Sequence, residues 1–234
     1  ARLPAPPTWP TGWRLGEPDL VVEPEAPYVL VADAHEDVFR NLVIPVPLDR
    51  ARWVRAVELQ PGNKRIVHHA ILQVDRTPGS RALDAQDAGV GFAGMSMGDS
   101  VPPAGHFLGW TPGRTPEAGG DGLTWRLERG TDLVLQLHLL PTGKPEPIRP
   151  RVGFYFGDTP PTRTPTILRL GSQGIEIAPG DASYSIHDSY TLPSDVDVLA
   201  IQPHAHYRAR EVRGTATLPD GTTRVLMHIR DWDF

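Results

Sequence analysis

The sequence contains no cysteine, which removes disulfides, thiolate zinc sites and thiol nucleophiles at once. It leaves the redox compartment open, because proteins outside the cytoplasm can do without disulfides. No apolar run approaches the ~20 residues that a bilayer-spanning helix needs. Neither sign of charge dominates: 23 Lys and Arg against 28 Asp and Glu give a net charge of -5. That balance is too mild and mixed to suggest a nucleic-acid or anionic-membrane surface. A phosphate-cradling glycine loop is missing, and so is a nucleophile elbow or other triad motif. Helical periodicity is scarce as well: no amphipathic stretch lasts three turns, and only 82–88 suggests a short one.

What the chain has in quantity is proline (26) and glycine (23), spread over 234 residues of which 39% are hydrophobic. That mixture suits short strands joined by turns around an adequate core. Short apolar or alternating runs occur at 28–32, 39–46, 53–59, 66–74, 133–140 and 152–156. Turn material such as Pro61-Gly62-Asn63 and Pro78-Gly79 separates some of them. The stretch 89–122, dense in glycine and proline, reads as long functional or covering loops. Thr159-Pro160-Pro161-Thr162-Arg163-Thr164-Pro165 reads as an interdomain linker, after which strands are expected at 166–170, 184–192, 197–201, 211–218 and 224–230.

The expected organisation is all-β, with a proline-rich extended linker over 1–27 and a first sandwich over 28–160. A linker at 161–165 then leads to a second, partial sandwich over 166–234. Ala1-Arg2-Leu3-Pro4-Ala5-Pro6-Pro7 lacks a signal-peptide pattern and reads as a tether to another domain, such as a redox partner. Roughly 70 residues after the second linker are few for an independent sandwich. The last expected strand is still running at Asp231-Trp232-Asp233-Phe234, so the second domain is expected to be incomplete.

Histidine carries the chemistry. Imidazole is the commonest protein ligand for copper and zinc. Two clusters stand in separate halves of the chain: His68-His69 with His138, and His204-Ala205-His206. In 133–140 the period of two puts Leu133, Leu135, Leu137 and Leu139 on one face and Gln136 and His138 on the other. Gln136 is therefore placed to orient a neighbouring ligand, or His138 is a surface residue on a half-exposed strand. Ideal alternation sends adjacent His68 and His69 to opposite faces, so both reach one metal only at a twist, bulge or strand end. His204 and His206, two apart, project from one face of an extended segment, which by parity also carries Gln202 and Arg208. Pro203 suggests an edge strand or a strand terminus there. His35, His106, His187 and His228 lack partners at ligand spacing and read as structural or exposed. Met95 and Met97 offer thioethers suited to Cu(I), or simply pack a loop.

Taken together, Val67-His68-His69-Ala70, Leu135-Gln136-Leu137-His138 and Pro203-His204-Ala205-His206 resemble the three histidine motifs of the copper type II, ascorbate-dependent monooxygenases. That family includes the peptidylglycine α-hydroxylating and dopamine β-monooxygenases. Segments 53–59, 61–63, 141–144, 188–193 and 231–234 resemble bacterial homologues, and the likeness runs in order over roughly residues 9–234. The resemblance implies two successive jelly-roll-like β-sandwiches with one copper each. His68, His69 and His138 would hold the electron-supplying copper, with Gln136 matching a family glutamine beside it. His204 and His206 would hold the oxygen-binding copper together with a methionine thioether. The implied reaction inserts one oxygen atom of O2 into a C–H bond of a small-molecule or peptide substrate and reduces the other to water. Ascorbate or a similar donor supplies the electrons, and the implied location is periplasmic or extracellular.

The chain departs from the family where that methionine is concerned. Met227 is the only methionine after His206 and lies too near it to match, so it is not assigned. The lack of cysteine also separates it from the disulfide-rich animal enzymes. Three other readings of the residues stand beside this one: a copper-binding or electron-transfer module without hydroxylase activity, a zinc hydrolase with a three-histidine site, and a carbohydrate- or partner-binding β-sandwich with incidental histidines.

Overall fold

The computed structural model describes residues 12–34, 36–120, 122–172 and 174–233. The chain divides into two units, Ala1–Leu168 and Arg169–Phe234. In chain order the first unit contains β1 (Leu20–Val22), β2 (Tyr28–Leu30), β3 (Val38–Pro45), β4 (Arg52–Gln60) and β5 (Val67–Asp75). A single helical turn and a half, α1 (Gly79–Asp84), follows. Then come β6 (Phe92–Ala93), β7 (Leu108–Trp110), β8 (Trp125–Leu127), β9 (Asp132–Leu139), β10 (Glu146–Ile148) and β11 (Arg151–Gly157). The longer strands fall on the apolar runs of the sequence, because alternation lets each strand bury one face. Strands of two or three residues leave no such pattern; β6, β7 and most of the covering loops lie within 89–122.

All strand pairs are antiparallel. A four-stranded sheet runs β1-β11-β4-β8 and a five-stranded sheet runs β6-β3-β9-β5-β7, with β10 and β2 forming a separate pair. Side chains of both large sheets meet in one apolar cluster, Val54, Leu59 and Phe154 from the first against Leu42, Leu72 and the four leucines of β9 from the second. This is the sandwich arrangement that antiparallel sheets adopt to hide their apolar faces.

Strand β9 lies at the centre of its sheet, and all eight of its residues are buried. The half-exposed reading of this strand is therefore corrected. Its leucine face joins the main core, while Val134 on the opposite face packs with Phe92 and Met97 from the covering loop. Two buried polar groups hold that loop in place. The Asn41 amide donates to the carbonyls of Gly94 (2.9 Å) and Ser96 (3.2 Å). Arg40 donates to Val90 O, Gly91 O and both carboxylate oxygens of Asp87. Buried polar groups need such partners, and here they supply the second wall of the sheet. Gly91 takes φ +77°, and a Cβ there would run into the Asn41 carbonyl, so the tight approach of loop and strand requires glycine.

Part of the segment read as an extended N-terminal linker belongs to the sandwich. β1 pairs with β11, and the backbone N–H groups of Arg14 and Leu15 donate to the buried Glu58 carboxylate. The residues proposed as a tether, 1–7, lie outside the described residues. The segment read as a linker at 159–165 is also tied down, since Thr162 and Arg163 donate to Gly122 O.

Among the described residues, the second unit contains one hairpin, β12 (Val212–Thr217) and β13 (Thr223–Ile229). Asp220 Oδ1 accepts from Thr222 N at 2.8 Å in its turn, as the Pro219-Asp220-Gly221 signal predicts. The strands expected at 166–170, 184–192 and 197–201 do not form among the described residues. Their alternating apolar residues, such as Ile186, Leu192 and Val198, are exposed. Alternation marks a segment able to be a strand, but a strand exists only where a neighbour takes up its backbone hydrogen bonds.

Candidate metal centre

Three strands bring the first histidine cluster together. In the register of β3, β9 and β5, His138 lies directly between Phe39 on one side and His69 on the other. Val67 pairs with Leu139 and His69 with His138, so His68 is the extra residue of a β-bulge. This solves the geometric problem of adjacent histidines. A bulge breaks the two-residue alternation and turns His68 toward the same side as its neighbour.

The result is a close contact of ring nitrogens. His68 Nδ1 lies 3.1 Å from His69 Nδ1, and His138 Nδ1 lies 3.3 Å from His69 Nδ1. One ligand atom from each of the three residues falls within 4.8 Å of the others, so the group can hold a metal ion. Two imidazole nitrogens bound ~2.0–2.1 Å from one tetrahedral ion stand about 3.3–3.4 Å apart, close to the separations here. The donor set consists of imidazole alone, which suits copper, zinc, iron or nickel rather than the hard oxygen-seeking cations. Three nitrogen lone pairs at this distance repel one another unless a proton or a cation lies between them. The residues present therefore fit a late transition metal.

The site is half open. His68 and His69 are partly exposed, whereas His138 is buried. The ring of His138 stacks on Phe39, with centroids 4.3 Å apart and planes inclined by 11°. Its other nitrogen, Nε2, lies 2.9 Å from Asp37 Oδ2. Gln136 sits on the same face two residues earlier, but its amide donates to Asn41 Oδ1 (3.0 Å) and Met95 O (2.9 Å) rather than to an imidazole. Gln136 thus anchors the covering loop, and the carboxylate beside the ligand ring comes from Asp37. Sequence reasoning missed Asp37 and Phe39. Their only signal is that they stand two apart at the entry of a strand, 101 and 99 positions from His138.

His204 and His206 face each other in the second unit, with Nε2 atoms 3.1 Å apart and rings nearly perpendicular at 85°. They lie on an exposed extended segment outside any described strand, and a turn follows at once, with Ala209 N donating to His206 O. The spacing brings the two rings together as expected, without the edge strand that Pro203 suggested. Gln202 donates to the Pro203 carbonyl, and Arg208 is exposed. Met227 lies on β13 opposite Gly214.

Of the remaining histidines, His106 is structural, its Nε2 2.7 Å from Leu123 O and its Nδ1 3.1 Å from Pro103 O. His228 pairs with Glu211 at 2.7 Å, His187 is exposed, and His35 lies outside the described residues. Met97 is packed in the loop and Met95 is exposed. No family model, no curated protein and no solved structure matches the chain.

Proposed function

We propose that the chain is a copper-dependent monooxygenase, or the copper-binding part of one, acting on a C–H bond with O2 and an ascorbate-like reductant. The observation that carries this reading is the convergence of His68, His69 and His138 on one point. The matched pair at His204 and His206 supports it, as do the histidine motifs that resemble the copper type II monooxygenases. Copper bound at such sites would supply one-electron chemistry, passing between Cu(II) and Cu(I) and drawing on an external donor.

The chain's own residues divide that work. His68, His69 and His138 would hold the first copper through imidazole alone, a neutral donor set compatible with both oxidation states. Phe39 and Asp37 keep the buried ring in one orientation. His204 and His206 would hold the second copper on an exposed segment, where substrate and O2 have access from solvent. Periplasmic or extracellular placement, a substrate of small-molecule or peptide class and an associated redox partner belong to the same proposal.

A second reading has its own support: the first site offers three convergent ligands in a packed sheet, while the second offers two on an exposed segment. That asymmetry favours a copper-binding or electron-transfer module. One experiment separates the readings. The protein is loaded with copper and supplied with ascorbate and O2 in the presence of candidate peptides. Oxygen uptake coupled to a hydroxylated product supports the monooxygenase, and reversible reduction without product supports the module. Preferential loading with zinc, which is silent in EPR where isolated Cu(II) is not, would sink both.

A further inference from the structure

We infer that Asp37 is the positioning residue of the three-histidine site, fixing which nitrogen of His138 is offered to the metal. The inference rests on reading this cluster as a metal site, but not on the metal being copper or the reaction an oxygenation.

An ionised carboxylate can only accept hydrogen bonds. With Asp37 Oδ2 at 2.9 Å, His138 Nε2 must carry the proton. A neutral imidazole has one N–H, so Nδ1 keeps its lone pair, and Nδ1 is the atom that faces His69 Nδ1 at 3.3 Å. The alternative tautomer would direct an N–H into the cluster and a lone pair at the carboxylate, losing a ligand and setting two acceptors against each other.

Orientation is fixed in the same way. Stacking on Phe39 sets the plane of the ring but allows a half-turn about Cβ–Cγ, which would exchange Nδ1 with Cδ2 and Nε2 with Cε1. The contact to Asp37 removes this freedom. Asp37 lies just before β3 and Phe39 within it, and both reach the ring of His138. His138 is 2% exposed, while Asp37 is 32% exposed. The bond therefore links a ring shut away from water to an acceptor that is still partly hydrated. A carboxylate on the far nitrogen of a ligand imidazole also raises the basicity of the ligating one.

The test compares the wild-type chain with Asp37→Ala and Asp37→Asn, and uses His138→Ala as the reference for a lost ligand. In metal-free protein at about pH 8, where unperturbed imidazole is neutral, nitrogen NMR of the ring reports the tautomer directly. The expected result is an Nε2–H tautomer for His138 in the wild type and a mixed population in Asp37→Ala. Titration with Zn(II) alone and Cu(II) alone should show affinity at this site falling about 10–100-fold in Asp37→Ala. Asp37→Asn keeps a carbonyl acceptor and should recover part of that loss. Unchanged tautomer and affinity in Asp37→Ala would overturn the inference. So would equal weakening in the Ala and Asn variants with a fixed tautomer, since that pattern marks a structural role only. A wild-type chain that binds neither ion any better than His138→Ala would overturn the metal-site reading instead, and the inference with it.

Discussion

Neighbours of His138 have different tasks: Phe39 sets its plane, Asp37 holds its outer nitrogen, and His69 meets its inner one. Removing this ring leaves His68 and His69, which can still chelate but cannot close the site. His138→Ala should therefore lower copper occupancy in the first unit and leave the His204 and His206 site largely filled. Metal analysis with EPR checks this as copper lost from the first position alone; equal loss at both positions would argue against separate centres. At this scale the sequence was informative where residues share a local pattern. The pair His204-Ala205-His206 and the face shared by Gln136 and His138 follow from the two-residue period. His68 and His69 could meet only at an irregularity, and a bulge is what the structure has there. Asp37 was not legible, because one acid at a strand entry carries no sign of a partner 101 residues away.

Among the elements, β9 carries the largest share of both packing and site. It bonds to β3 and β5 along its whole length and has apolar cover on both faces. Leu135 is fully buried in the middle of it. Leu135→Ala should cost about 2–5 kcal/mol of unfolding free energy, the usual range for a core leucine, measured by urea denaturation. The eight- and nine-residue strands could be read from the sequence because each shows several turns of alternation. β1, β6, β7, β8 and β10 could not, since two or three residues do not establish a period. The opposite error occurred at 184–192 and 197–201, where good alternation is not matched by a pairing strand among the described residues. Propensity locates candidates; hydrogen-bonding neighbours decide among them.

For the whole molecule, acid sensitivity follows from two carboxylates that bind the connecting segments to the sheet. Burial raises the Asp75 carboxyl, but hydrogen bonds from Ser80 and Thr77 outweigh it and hold the group at about 2. Asp87 is held at about 2 chiefly by the Arg40 guanidinium. An unfolded aspartate titrates near ~3.9, so both groups are depressed in the folded chain. Their stabilisation is complete above that value and is lost as pH falls from about 4 toward 2. Urea midpoints measured down this range should decline, and less steeply in Asp75→Asn. The division of the chain into two units has its own result for metal exchange. An ion bound by His68, His69 and His138 would have a wall behind it, formed by a strand that opens only when the sheet itself does. One held by His204 and His206 would stand at the surface, with ordinary solvent as its neighbour. A chelator added to doubly loaded protein should therefore empty the second position rapidly and the first slowly, so that a timed quench yields molecules carrying a single, known ion.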